Sequence, residues 1–143
     1  MSETVHSNLR SWATGSHATE AAVELLIRAD LASGGSQWVR DASLESSEPP
    51  RLYVDHAILV SASDSLSGQS RAIARLAASM LGGDTVDLST ALPALDRDHV
   101  MLVLAAVAHA AGSHEDSAPR MAGGKVVGTL ALGPAFAWPQ LTR

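Results

Sequence analysis

Residues 100–108 read VMLVLAAVA, nine positions without a polar side chain on any side of a helix. The run is preceded by Asp96, a good helix cap, and followed by Gly112, a good stop. A helix that is apolar all round belongs inside a domain or inside a bilayer. A membrane span needs roughly 20 such residues, whereas this run ends at His109. The chain is therefore expected to wrap its other elements around a core helix over about 97–111.

A second helix is expected at about 68–82. Ser67 stands at its cap, Ile73, Leu76, Ala77, Met80 and Leu81 share one face, and Gly82 and Gly83 end it. Arg71, Arg75 and Ser79 fall on the opposite face. Ala72, Ala77, Ala78, Ala105, Ala106 and Ala108 would let these two helices approach closely.

The remaining pattern reads in chain order. Residues 1–7 are polar and expected to fray, and residues 8–13 form a helical turn pinned by Trp12. Over 17–32, Ala22, Leu25, Leu26 and Ala29 make an apolar face, while His17, Glu20, Glu24 and Arg28 share a solvent face. Residues 37–42 and 51–55 have strand composition and are joined by the polar loop SLESSEPP, which predicts an antiparallel hairpin. Asp55 caps a helical turn over 56–60, and Ser89 caps another after an extended segment. Residues 113–124 are expected to be mobile, and 125–132 (KVVGTLAL) to add a third strand to the hairpin.

These elements define an α+β class: one mostly helical domain over 1–143, with a small antiparallel sheet (37–55 plus 125–132) packed on helices 17–32, 68–82 and 97–111. At 143 residues such a domain buries about 70% of the surface its unfolded chain exposes, and no second core is needed. Ten basic residues stand against fifteen acidic ones, with nine Arg and a single Lys, Lys125. That balance disfavours nucleic-acid binding, which rests on cations neutralising phosphates. Cysteine is absent, which removes disulfides and thiolate chemistry. No charged start and apolar run marks a signal peptide, so the expectation is cytoplasmic, with no membrane contact. Abundant Ala, Gly and Leu, with Arg far above Lys, resembles the composition of bacteria with GC-rich genomes.

Two stretches carry candidate chemistry. Ser67, Gly68, Gln69, Ser70 and Arg71 open a helix, where free N–H groups, hydroxyls and a guanidinium suit an anion. The stretch from Leu66 to Asp98, LSGQSRAIARLAASML followed by ALPALDRDH, resembles the signature region of ABC-type ATPases. The resemblance implies contact of Ser67 and Gly68 with a nucleotide γ-phosphate across a dimer. One glycine of the usual pair is missing and no GxxxxGK[ST] loop precedes it, so no cofactor is expected.

The other stretch is His109, His114, Glu115 and Asp116, imidazoles and carboxylates suited to a divalent metal. His109 and His114 are five apart with Gly112 between them, so no single helix face presents both. His99 lies about 15 Å further back along the helix. His56 beside Asp55 is an acid–base candidate, no GxSxG elbow marks a serine nucleophile, and the acidic loop SLESSEPP would make a poor DNA-contacting wing.

The function expected from this balance is a non-catalytic bacterial accessory or protein–protein interaction protein. It would engage a protein partner or self-associate as a homodimer, since 46% apolar residues and a mean hydropathy of +0.11 are high for so small a chain. The alternative is a small metal- or phosphate-binding enzyme using His109, His114, Glu115 and Asp116 or the Ser67–Gly68 helix start.

Overall fold

The first helix, α1, spans Ser2–Ala13 and is continuous where fraying was expected. Tertiary contacts hold it. Leu9 is fully buried, His6 Nε2 lies 3.0 Å from the Ala32 carbonyl, and the Asn8 amide donates to the Pro50 carbonyl while its oxygen accepts from the Leu52 N–H. That last pair ties α1 to the edge of the hairpin, a link that a polar N-terminal segment gives no local sign of. The computed structural model describes residues 2–45 and 47–140.

Helix α2 spans His17–Arg28, with the Ser16 hydroxyl accepting from the Thr19 N–H, and it occupies the centre of the domain. Ala21, Ala22, Val23, Leu25, Leu26 and Ile27 are all buried, too many for one narrow face. They are covered from two sides, by α4 (Gly68–Gly82) and by α6 (Arg97–Ala110). The hairpin β1 (Val39–Asp41) and β2 (Leu52–Val54) and helix α3 (His56–Ser63) lie between α2 and α4 in the chain, and a short α5 (Leu88–Ala91) lies between α4 and α6.

The centrality expected of the 100–108 run is thus corrected. One side of α6, with Leu102, Val103, Ala105, Ala106 and Ala108, is buried, but Val100, Leu104 and Val107 are 38, 47 and 54% exposed. An all-apolar helix carries no phase that says which side will be covered, and here only the side against α2 is. The small residues are used as anticipated but toward a different neighbour: α4 and α6 each pack chiefly on α2.

The hairpin forms as expected, with Val39 opposite Val54 and Asp41 opposite Leu52. Asp41 Oδ1 accepts from the Ser43 and Arg51 N–H groups and closes the loop, and the Trp38 indole donates to the Leu31 carbonyl at 2.7 Å. Caps Asp55 and Asp96 accept from the Ile58 and His99 N–H groups, and Gly83 ends α4 at φ 77°. The cap of α5 is Asp87 and not Ser89, whose N–H and hydroxyl both donate to it.

Strand β4 (Lys125–Ala131) also forms, but it does not join β1 and β2. Its partner is β3 (Ser117–Ala122), drawn from the segment expected to be mobile, after a 3-10 turn over Ser113–Glu115. Gly123 and Gly124, at φ 57° and 76°, make the tight turn that joins such strands. Local closure through a two-residue turn thus replaces a long-range pairing. The class is as expected, a single α+β domain, with two two-stranded antiparallel sheets in place of one. Among the described residues no helix is long and apolar enough to cross a membrane.

Candidate functional site

The start of α2 and the end of α6 lie side by side, which brings His17 and Glu20 of the first next to His109 of the second. Gly112, at φ 78°, then turns the chain back. Glycine is suited to that left-handed position, and a Cβ there would also stand 2.9 Å from His17 Nδ1. The reversal lays His114 on His109, their rings stacked at 3.9 Å and 9°. His17 meets His114 edge-on at 4.8 Å.

Three imidazoles and two carboxylates therefore share one place. Glu20 Oε1 is 3.0 Å from His109 Nε2, Glu20 Oε2 accepts from the Gly15 N–H at 3.3 Å, and Glu115 Oε2 is 3.2 Å from His17 Nε2. The hydrogen bond from His109 is the main cause that holds the Glu20 carboxyl below the ordinary carboxylate range, against a smaller opposing effect of burial. One atom of the cluster is left over: His114 Nδ1 is buried with no hydrogen-bond partner among the described residues. The donors of His17, Glu20 and His114 lie within 4.8 Å of one another, close enough to hold one ion.

A cavity of about 420 Å³ adjoins the cluster, lined among others by Glu24, Arg28 and Trp138. Glu24 bridges Arg10 and Arg28 at 2.9 and 2.8 Å. Burial pushes its carboxyl up, but the two guanidinium groups outweigh that and hold it low. Arg28 also lies 5.2 Å from the Trp138 ring and donates to the Pro139 carbonyl, so the C-terminal segment closes over this side. A wider groove of about 1070 Å³, between α1 and the β1–β2 hairpin, is lined by Trp12 and Tyr53 but gathers no such cluster.

Of the residues singled out from sequence for metal, His109, His114 and Glu115 meet. Asp116 does not: it is exposed, and its carbonyl accepts from the Leu132 N–H. The residues that sequence reasoning missed are His17 and Glu20, assigned there to a solvent face. Their i, i+3 spacing was visible, but their partners lie about 90 residues away. His99 pairs with Asp96 at the opposite end of α6, and His56 faces Asp84 at 3.7 Å and not Asp55.

At the helix start Ser67, Gly68, Gln69, Ser70 and Arg71, two of the five side chains are engaged elsewhere. Ser67 makes no capping bond, Arg71 donates to the Leu66 and Asp64 carbonyls, and Gln69 accepts from the Asp96 N–H. Gln69 and Arg71 thus serve the start of α6 and the loop before α4.

A second unusual surface is apolar. Met121, Val126, Val127 and Leu130 on the β3–β4 ribbon, and Leu132 just past its end, are each more than half exposed, and the ribbon contacts chiefly itself. Met121 sits opposite Val126, and Ala118 opposite Leu130. The two strands carry Arg120 and Lys125 and no acid, which leaves eight basic against fifteen acidic residues in the rest of the chain. Comparison with protein-family models, curated proteins and solved structures finds no match to this chain.

Proposed function

We propose that this protein is a non-catalytic interaction module, of the bacterial accessory kind suggested by its composition, whose partner is a second copy of itself. The observation that carries the reading is the uncovered β3–β4 ribbon, with four large apolar side chains in water and a fifth just past its end. A lone two-stranded ribbon is marginal by itself and needs a further strand or a helix against it. The same chain offers that helix: Val100, Leu104 and Val107, at i, i+4 and i+7, form an exposed apolar stripe on α6.

Exchange of ribbons across a two-fold axis lets each copy cover the stripe of the other, and a contact made this way closes at two copies. Charge favours it. The ribbon carries two positive groups and the rest of the chain a net excess of seven acids, so ribbon and body attract across the interface where two bodies would repel.

Sedimentation and light scattering test the reading. The expected result is a dimer that Leu104→Arg and Val126→Glu each convert to a folded monomer, as judged by an unchanged far-UV spectrum. A monomeric wild-type protein at high micromolar concentration, or a dimer indifferent to both substitutions, overturns it.

A further inference from the structure

We propose that His17, Glu20 and His114 bind one divalent transition-metal ion of the zinc class, at a site independent of the ribbon surface. The donor set is the first reason. Two imidazoles are borderline ligands that, with one carboxylate beside them, suit zinc and its neighbours, whereas calcium and magnesium prefer an all-oxygen set. Their ligand atoms already lie within 4.8 Å of one another. Ligands around a tetrahedral zinc are separated by roughly 3.3 Å, from bond lengths of about 2.0–2.1 Å. The widest separation exceeds that by roughly 1.5 Å, a gap that side-chain rotation is expected to close.

The second reason is an atom with nothing to do. His114 Nδ1 is shielded from water and has no hydrogen-bond partner among the described residues, and a buried polar atom in that state is destabilising. Polar groups about it do not relieve it: the ring stacks on His109 on one face and meets His17 at an edge. An ion that takes Nδ1 as its ligand from His114 would be a partner for it.

The third reason is the support around the donors. Ligand residues are held in place by hydrogen bonds from behind. Here His109 and the Gly15 N–H fix the two oxygens of Glu20, and Glu115 stands 3.2 Å from His17 Nε2. Gly112 has no side chain to crowd His17 Nδ1, and a Cβ would come within 2.9 Å of it. His109 and Glu115 are positioning residues in this scheme. Three protein donors leave a fourth position for water, with the cavity of about 420 Å³ adjoining.

The test uses tag-free full-length protein and the metal alone. Zinc chloride is titrated by calorimetry, and cobalt(II) chloride is followed by visible absorption, which reports tetrahedral coordination. The expected result is saturation at one ion per chain with zinc, an intense cobalt band, and no saturable response to calcium. His17→Gln and His114→Gln each abolish the cobalt band, Glu115→Gln weakens zinc binding about 10–100-fold, and Asp116→Asn changes nothing. Glu20→Gln, close in shape to the native side chain, guards against loss by misfolding and is expected to abolish the band with the far-UV spectrum intact. No saturable binding at micromolar concentration, or binding that survives both histidine substitutions, overturns the proposal.

Discussion

Leu102 and Leu104 stand two apart in a helix without a polar residue between 100 and 108, and nothing local distinguishes them. Leu102 is 0% exposed against α2, and Leu104 is 47% exposed. Truncating Leu102 to alanine removes the transfer free energy of a fully buried side chain, about 1.5–3 kcal/mol. It also opens a cavity that the packed surroundings fill only in part, for a total of about 3–5 kcal/mol. Truncating Leu104 forfeits about half the transfer value, near 1 kcal/mol, and opens no closed cavity. At roughly 4 °C per kcal/mol for a chain of this size, Leu102→Ala is expected to lower Tm by about 12–20 °C and Leu104→Ala by about 4 °C. The assay is thermal unfolding by circular dichroism on dilute protein, repeated at high concentration. Self-association adds a concentration-dependent loss for Leu104→Ala only. Equal losses for the two variants in dilute solution would refute the sidedness of α6.

Two further predictions concern charge and capping. Glu24 has a folded pKa below its unfolded one, so its contribution to stability is present above the ordinary glutamate range and is lost as pH falls through the folded value. Glu24→Gln is therefore expected to cost about 1 kcal/mol at neutral pH and little in acid, with the pH dependence of urea unfolding as the check. Asp55 makes a capping bond and Ser67 makes none, so Asp55→Ala should lower stability by about 1 kcal/mol while Ser67→Ala stays within a few tenths. A loss for Ser67→Ala as large as that for Asp55→Ala would contradict the cap geometry.

The helices near 17–32, 68–82 and 97–111 were legible because their ends are written locally, in Asp96, Gly83 and the Ser16 that precedes His17. What escaped depends on contacts distant in sequence, save for the partner of β4, which is a near neighbour in the chain. The buried side of α6 is decided by where α2 lies, and the partner of β4 by a glycine pair that closes sooner than any pairing with β1 or β2 could. The histidine cluster was half legible: His109, His114 and Glu115 are near in sequence, whereas His17 and Glu20 reach them only once α2 and α6 are side by side. Helix α1 was underestimated because Asn8 takes its partners 42 and 44 residues on.

Ser113, 8% exposed, donates its hydroxyl to the Ala108 carbonyl at 2.7 Å and accepts the Ala135 N–H at 3.0 Å. One oxygen atom thus splices the end of a helix to a stretch of chain arriving 22 residues later. Proteolytic clipping near Ala135 would unbutton the turn on which His114 is mounted, so damage at the carboxyl end would register first in the alignment of two stacked imidazoles.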